Sequence, residues 1–304
     1  MKRNKIHHLL LGALLSVGVT ACSAVPLSGR KQMNVVSDSE VLAMSHQQYR
    51  DFISRAPLSQ NQQQTQRVRT VGQRIAAATE QYLVRSGLGQ EAKKFAWEFN
   101  LVQSKSINAW CMPGGKIVVY EGILPYCKTD DELATVMAHE VAHALAKHAN
   151  ERMSQQLMQR TGAQVLGSVL SGSSVGAQVA GGLAYSVGSK VLFELPYSRQ
   201  HEFEADKIGL YLMAMAGYDY NQAATFWTNM AGGRSGNSDF LSTHPANAKR
   251  IEAINAEIPK VQRFMGSDTK AAPNPVPKRN RAVTKEQVEI PGNNSREVPL
   301  KTHY

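Results

Sequence analysis

"MAHEVAHALAKH", residues 137–148, places His139 and His143 four positions apart with Glu140 beside the first of them. Just upstream, Thr129 and Glu132 have the T-x-x-E spacing of a capping box, in which two residues satisfy each other's orphan backbone N–H groups at a helix start. Leu133, Val136, Met137 and Val141 then recur at helical intervals, so the stretch reads as one helix. Positions four apart project from one helix face, and both imidazoles therefore aim at one point. Two histidines on an exposed helix would spell the same H-E-x-x-H. The apolar company of Val136, Met137, Ala138, Val141, Ala142 and Ala144 predicts burial instead, and buried imidazoles need partners.

Such a pair is the half-built site of a catalytic zinc, which takes three protein ligands and keeps a fourth position open. A third histidine on the same helix would require glycine at position 146 and histidine at 149, where the chain has Ala146 and Ala149. His148 would fall roughly 140° from His143 around a continuous helix, off their shared face. No Asp or Glu lies between Glu151 and Glu194, which excludes a nearby downstream carboxylate. There remain Glu194 and the three acids of "YSRQHEFEADKIG", residues 197–209. That stretch is predicted as a helix with Ser198 as N-cap, an apolar face of Ala205, Ile208, Leu212 and Met215, and Gly217 at its stop. Glu202 and Asp206 share one face of it, while Glu204 is turned by about 200° and is expected as a solvated surface acid. Glu202 is thus placed to complete the ligand set, and Asp206 to accept the second N–H of a ligating imidazole.

The remaining chain supplies boundaries. The net charge of +10 falls to +4 once the basic extremes are set aside, an excess without the aromatic interleaving that would suggest nucleic acid. Residues 1–22 read as a targeting segment: "MKRNK" is cationic, and "LLLGALLSVGV" is too short an apolar run to span a bilayer as a mature helix. "VTAC" resembles a bacterial lipobox, making Cys22 a lipid-modified mature N-terminus; the alternative is an ordinary signal peptide cut near Ala21 or Ala24. Ser23, standing where an inner-membrane retention signal would carry Asp, points to the outer membrane facing the periplasm. Residues 23–36 read as an extended tether, 37–262 as one catalytic domain and 263–304 as a disordered tail. Within the domain, helices are expected from Ser37 and through "TQRVRTVGQRIAAATEQYLV", followed by a strand in "KFAWEFNLV". The Pro113-Gly114-Gly115 turn then leads into the strand "KIVVY". Residues 161–189 carry no charge but are rich in Gly, Ser and Gln, and are expected as closely packed small-residue helices rather than a membrane span. Cys111 and Cys127 could pair or stand as two buried thiols.

"HEVAH", "SRQHEFEAD" about 60 residues on, "NAWCMPGGKIVVYEGIL" before them and "STHP" after them together resemble the gluzincin peptidases. This is the family of HtpX, the CAAX prenyl endoprotease and the mitochondrial Oma peptidase, with bacterial lipoprotein members of the BepA and LoiP type. The resemblance covers roughly residues 30–260. It implies an α+β, predominantly helical zincin-like metallopeptidase domain with a small sheet whose edge strand lines the active-site cleft. It also implies one Zn²⁺ held by His139, His143 and Glu202, with Asp206 behind them and Glu140 as the proton-transferring base. Oxyanion help is expected from Arg199 or, more sharply, from His244; alternatively His244 is a capping or core histidine before Pro245, or it occupies the open zinc position and holds the enzyme latent. The substrate strand is expected to pair with an edge formed by Gly114, Gly115, Lys116, Ile117 and Val118. The expected substrates are unfolded or misassembled envelope proteins, the expected anchor is outer-membrane lipid through Cys22, and no nucleic-acid partner is expected. The chain differs from integral-membrane relatives in lacking spanning helices and from the usual aliphatic residue at position 111 in having Cys111. A non-enzymatic zinc lipoprotein, acting as chaperone or assembly scaffold, is the second reading.

Overall fold

The helix of the H-E-x-x-H motif is the centre of the protein. In the computed structural model, which describes residues 22–171, 198–232, 239–245 and 247–268, the capping box of Thr129 and Glu132 opens a helix over Asp130–Leu145. Every residue of it from Glu132 to Leu145 is buried. The chain divides into Met1–Ser267 and Asp268–Tyr304, and the motif helix and the core around it belong to the first unit.

In chain order the elements are β1 (Cys22–Ala24), β2 (Lys31–Met33), α1 (Asp38–Ile53), α2 (Gln62–Arg85), α3 (Gly89–Ala92), β3 (Glu98–Val102), β4 (Ala109–Met112) and β5 (Lys116–Tyr120). A 3-10 turn over Glu121–Tyr126 leads to α4, the Asp130–Leu145 helix. Then come α5 (His148–Ser171), α6 (Arg199–Met215), α7 (Gln222–Gly232), α8 (Asp239–Thr243) and α9 (Ala248–Asp268). Helix α4 is sandwiched by α6, α2, α7 and strand β4. Helix α6 starts at Ser198, whose side chain accepts from the His201 N–H. It ends at Gly217, where a φ of +74° lets the Tyr218 N–H reach back to the Met213 carbonyl. The fold is thus α+β with helices dominant and one three-stranded mixed sheet, as the sequence predicts.

The sheet order is β3-β5-β4, with β3 parallel and β4 antiparallel to β5. This corrects the expectation that "KIVVY" is an edge. Lys116, Ile117, Val118 and Val119 are all buried, the mark of a strand paired on both sides and covered on both faces. Gly114 and Gly115 are likewise not open backbone for a substrate. Their φ values of +87° and +81° make the β4–β5 turn, and a Cβ on Gly115 would lie 2.5 Å from the Trp97 ring. The edge strand beside α4 is β4.

Two boundaries move. Residues 23–36 are no free tether: β1 and β2 pair as an antiparallel hairpin, Val25 enters the core, and the Leu27 N–H donates to the Tyr82 hydroxyl on α2. At the other end α9 stays helical to Asp268, beyond the predicted start of the tail at residue 263, because Ile254 and Val261 are buried in the main core and Phe264 and Met265 pack against it. Cys111 and Cys127 are both free and buried. The targeting segment, Glu194 and most of the small-residue stretch after Ser171 lie outside the described residues, and Cys22 is described through its backbone alone. No described helix is long and apolar enough to cross a membrane.

Candidate metal centre

Helix α4 presents His139 and His143 to one focus, and the facing helix α6 presents Glu202. The Glu202 carboxylate lies 3.4 Å from His139 Nε2 through Oε2 and 3.4 Å from His143 Nε2 through Oε1. His244, which follows α8, closes the cluster: its Nδ1 is 3.1 Å from Glu202 Oε1 and 3.2 Å from His139 Nε2. One donor atom from each of His139, His143, Glu202 and His244 can be chosen so that all lie within 4.8 Å of one another, and all four residues are buried.

The hydrogen-bond pattern favours a positive charge at that focus. Asp206, one turn beyond Glu202 on α6, accepts two hydrogen bonds from Arg250 on α9, at 2.7 Å from Nε and 2.7 Å from Nη2. It is therefore an anion, and His139 Nδ1 donates to it at 3.0 Å. The Nε2 lone pair of His139 then faces Nε2 of His143 across 3.1 Å, with a carboxylate alongside. Converging lone pairs and a buried anion are costly unless a cation sits among them. Imidazole nitrogens with one carboxylate oxygen are a borderline-soft donor set that suits a divalent transition metal or zinc. The residues fit a metal.

The titration shifts have the same origin. Burial would raise the Glu202 pKa, but His244, His139 and His143 outweigh it and hold it well below the ordinary carboxylate value. Burial pulls His139 down, while Asp206 and Glu202 overcome it and the net direction is up. Burial holds His143 well below its usual value. Glu140 differs from all of these: burial pushes its carboxyl up to about 7 against the opposing pull of His244. Its Oε1 is buried with no hydrogen bond and stands 3.3 Å from His244 Nε2. A backbone hydrogen bond from Cys111 on β4 ties Glu140 to the edge strand.

The structure brings together His139, Glu140, His143, Glu202, Asp206 and His244 of the sequence-predicted set. It does not bring Arg199, which is exposed at the first turn of α6. The arginine buried against the cluster is Arg250, whose Nη1 lies 3.0 Å from Glu202 Oε2 and whose guanidinium sits 3.9 Å over the Trp227 ring. Nothing in the periodicity of "HPANAKR" separates Arg250 from a surface cation, so only its spacing of six after His244 could have hinted at it. Glu204 is corrected as well. It is buried, accepting from His148 Nε2 at 2.9 Å, from Arg30 Nε at 2.7 Å and from the Ser28 hydroxyl. His148 also stands where a continuous helix could not put it. The chain turns at Lys147, with a left-handed φ of +54°, so α5 starts in a new direction and His148 Nδ1 reaches His143 Nδ1 at 2.8 Å. Burial holds His148 down at about 4.

A motif helix with two inward imidazoles, a carboxylate from a second helix and a buried acid beside them define a metallopeptidase. Comparison with known proteins agrees: the model of Peptidase family M48 matches residues 62–258, and the chain belongs to that family. It is 34% identical over 270 residues to the mitochondrial metalloendopeptidase OMA1 of Schizosaccharomyces pombe, covering 86% of this chain and 74% of that one. It is 39% identical over 160 residues to the protein of the same name in Arabidopsis thaliana, covering 52% of this chain and 31% of that one. The beta-barrel assembly-enhancing protease of Escherichia coli is 24% identical over 260 residues, covering 83% of this chain and 51% of that one.

Proposed function

We propose that the chain is a zinc-dependent endopeptidase of the bacterial cell envelope that hydrolyses misfolded or misassembled periplasmic and outer-membrane proteins. We place it on the outer membrane, facing the periplasm, through a lipidated Cys22. The observation that carries the chemistry is the approach of Glu202 to both motif imidazoles at 3.4 Å. The envelope setting is supported by the lipobox-like "VTAC" and by the name of the E. coli relative.

In this reading His139, His143 and Glu202 hold the zinc. Held there, the ion would supply Lewis-acid polarisation of a carbonyl and would acidify water to about pKa 7. Glu140 receives a proton from the attacking water and hands it to the leaving amine, tasks that suit a carboxyl poised near 7. Asp206 fixes the His139 tautomer, and Arg250 holds Asp206. The substrate backbone pairs with the outer edge of β4, the strand that also contacts Glu140. Chelation should abolish hydrolysis of an unfolded casein and stoichiometric zinc should restore it; hydrolysis that persists through exhaustive chelation rules the metal mechanism out. Radiolabelled palmitate incorporated equally by wild type and Cys22→Ala would remove the anchor.

Of the roles open to His244, latency is favoured by its position inside the donor cluster, 3.2 Å from His139 Nε2 and 3.1 Å from Glu202 Oε1. A residue there competes for the coordination position that catalysis needs open. His244→Ala is accordingly expected to raise the casein turnover rate by about tenfold, the effect of relieving ~1.4 kcal/mol of competition. A large fall in rate would instead assign His244 to oxyanion stabilisation.

A further inference from the structure

The two motif histidines are supported differently. His139 leans on Asp206 directly, and Asp206 on Arg250. His143 leans on His148 across 2.8 Å, and His148 on Glu204 across 2.9 Å. Glu204 is held by Arg30 Nε at 2.7 Å and by the Ser28 hydroxyl. Arg30 also forks onto Glu151, with Nη2 at 2.6 Å from Oε2 and Nη1 at 2.9 Å from Oε1. Glu151 accepts from His201 Nε2 at 3.1 Å, and the His201 ring stacks on His148 at 4.3 Å. Ser28 and Arg30 lie between β1 and β2, in the N-terminal hairpin, outside the segment matched by the family model.

The direction of the protons follows from the geometry. His143 turns Nε2 toward Glu202 and His139, so with that nitrogen kept as a lone pair its proton is on Nδ1. His143 Nδ1–H donates to His148 Nδ1, and His148 Nε2–H donates to the Glu204 carboxylate that Arg30 neutralises. A carboxylate that fixes the tautomer of a metal-bound imidazole usually does so by direct contact, raising the basicity of the ligand. Here a second imidazole extends the reach, and the support originates in a segment that local patterning reads as a tether.

We propose that His148, Glu204 and Arg30 form a relay through which the N-terminal hairpin positions His143 for metal binding, the counterpart of Asp206 and Arg250 behind His139. It rests on the reading of the cluster as a metal centre. His148 and Arg30 are positioning residues: neither offers a donor atom to the cluster itself.

Zinc affinity, measured on the whole mature chain by competition with a chromophoric chelator, tests the relay, together with the visible ligand-field band of the cobalt(II)-loaded protein. His148→Phe should weaken zinc binding by about 10–100-fold and Arg30→Met by about tenfold, the range for partners of metal ligands. The double variant should be no weaker than His148→Phe alone, because both changes cut one relay. His148→Gln, whose amide can accept from His143 and donate to Glu204, should restore most of the affinity and the wild-type cobalt band. Lys260→Met breaks the ion pair to Glu257, whose other partner is the Tyr211 hydroxyl rather than any relay residue, and should bind zinc as wild type does. Variants that lose thermal stability but keep wild-type zinc affinity and cobalt band overturn the relay. Should His148→Phe fail to fold, Arg30→Met against Lys260→Met decides in the same way. A wild-type chain that binds no zinc removes the metal-centre reading itself, and the relay with it.

Discussion

Glu140→Gln should lower peptide hydrolysis by roughly 10²–10⁴-fold, the usual contribution of a positioned general base, while zinc stoichiometry stays at one per chain. The amide nearly matches the carboxylate in shape, so the buried space beside β4 stays filled, but glutamine cannot accept a proton from water. Glu140 lies outside the cluster of His139, His143, Glu202 and His244, which is why metal binding should survive. Burial accounts for the site's readiness: with its pKa pushed up to about 7, the native carboxyl can both take and return a proton near neutrality. The comparison of casein hydrolysis and bound zinc in the two proteins also separates the enzyme from a zinc-binding scaffold. A scaffold would keep its cellular activity in Glu140→Gln, whereas loss of zinc from that variant would mean that Glu140 is itself a ligand.

Arg250→Met should cost about 3–5 kcal/mol of folding stability, the range for removing one partner from a buried ion pair. Arg250 is 1% exposed, forks onto Asp206, pairs with Glu202 and covers Trp227. Methionine restores apolar contact with Trp227 but leaves two buried carboxylates short of a cation. Zinc would neutralise Glu202, so the loss measured from urea midpoints should be smaller in zinc-loaded than in chelated protein. The pH dependence has a definite sign. Burial would raise the Asp206 pKa, but Arg250 and His139 depress it below 3.8, so this pairing stabilises above the unfolded-state value and its contribution fades as pH falls through the depressed one. The gap between wild type and variant should therefore narrow below about pH 4. A loss under about 1 kcal/mol at neutral pH would place Arg250 among pairs whose desolvation cancels their attraction.

The hairpin relay and the Arg250 fork both hold a helix-borne imidazole through carboxylates on α6, and both draw their cation from outside the α4–α6 pair, Arg30 ahead of it in the chain and Arg250 after it. The His–Glu cluster is therefore supported from both ends of the described chain, and a truncated domain carrying only α4 to α6 would leave both carboxylates without their arginines.

The paired inward imidazoles of α4 were legible from letters alone because helical periodicity is a local property. A capping box at Thr129, apolar positions three and four apart, and two histidines separated by one turn fix a helix and its inward face within sixteen residues. The same locality placed Glu202 and Asp206 together on α6 and left Glu204 looking outward. What lies outward is not local. Whether an acid faces water or a buried partner depends on which segment packs there, and the partners of Glu204 come from 56 and 176 positions away. "KIVVY" likewise spelled a strand, but only pairing with β3 and β4 made it the central one. His148 was misplaced by a helix taken as continuous through Lys147, and Arg250 carried no mark distinguishing it from any surface cation. Sequence by itself thus determined the two helices and which of their side chains share an inward face, since these follow from backbone periodicity. Only the tertiary structure decided which charges are buried opposite which, because burial strips them of water and forces each to find a counter-charge wherever the fold supplies one.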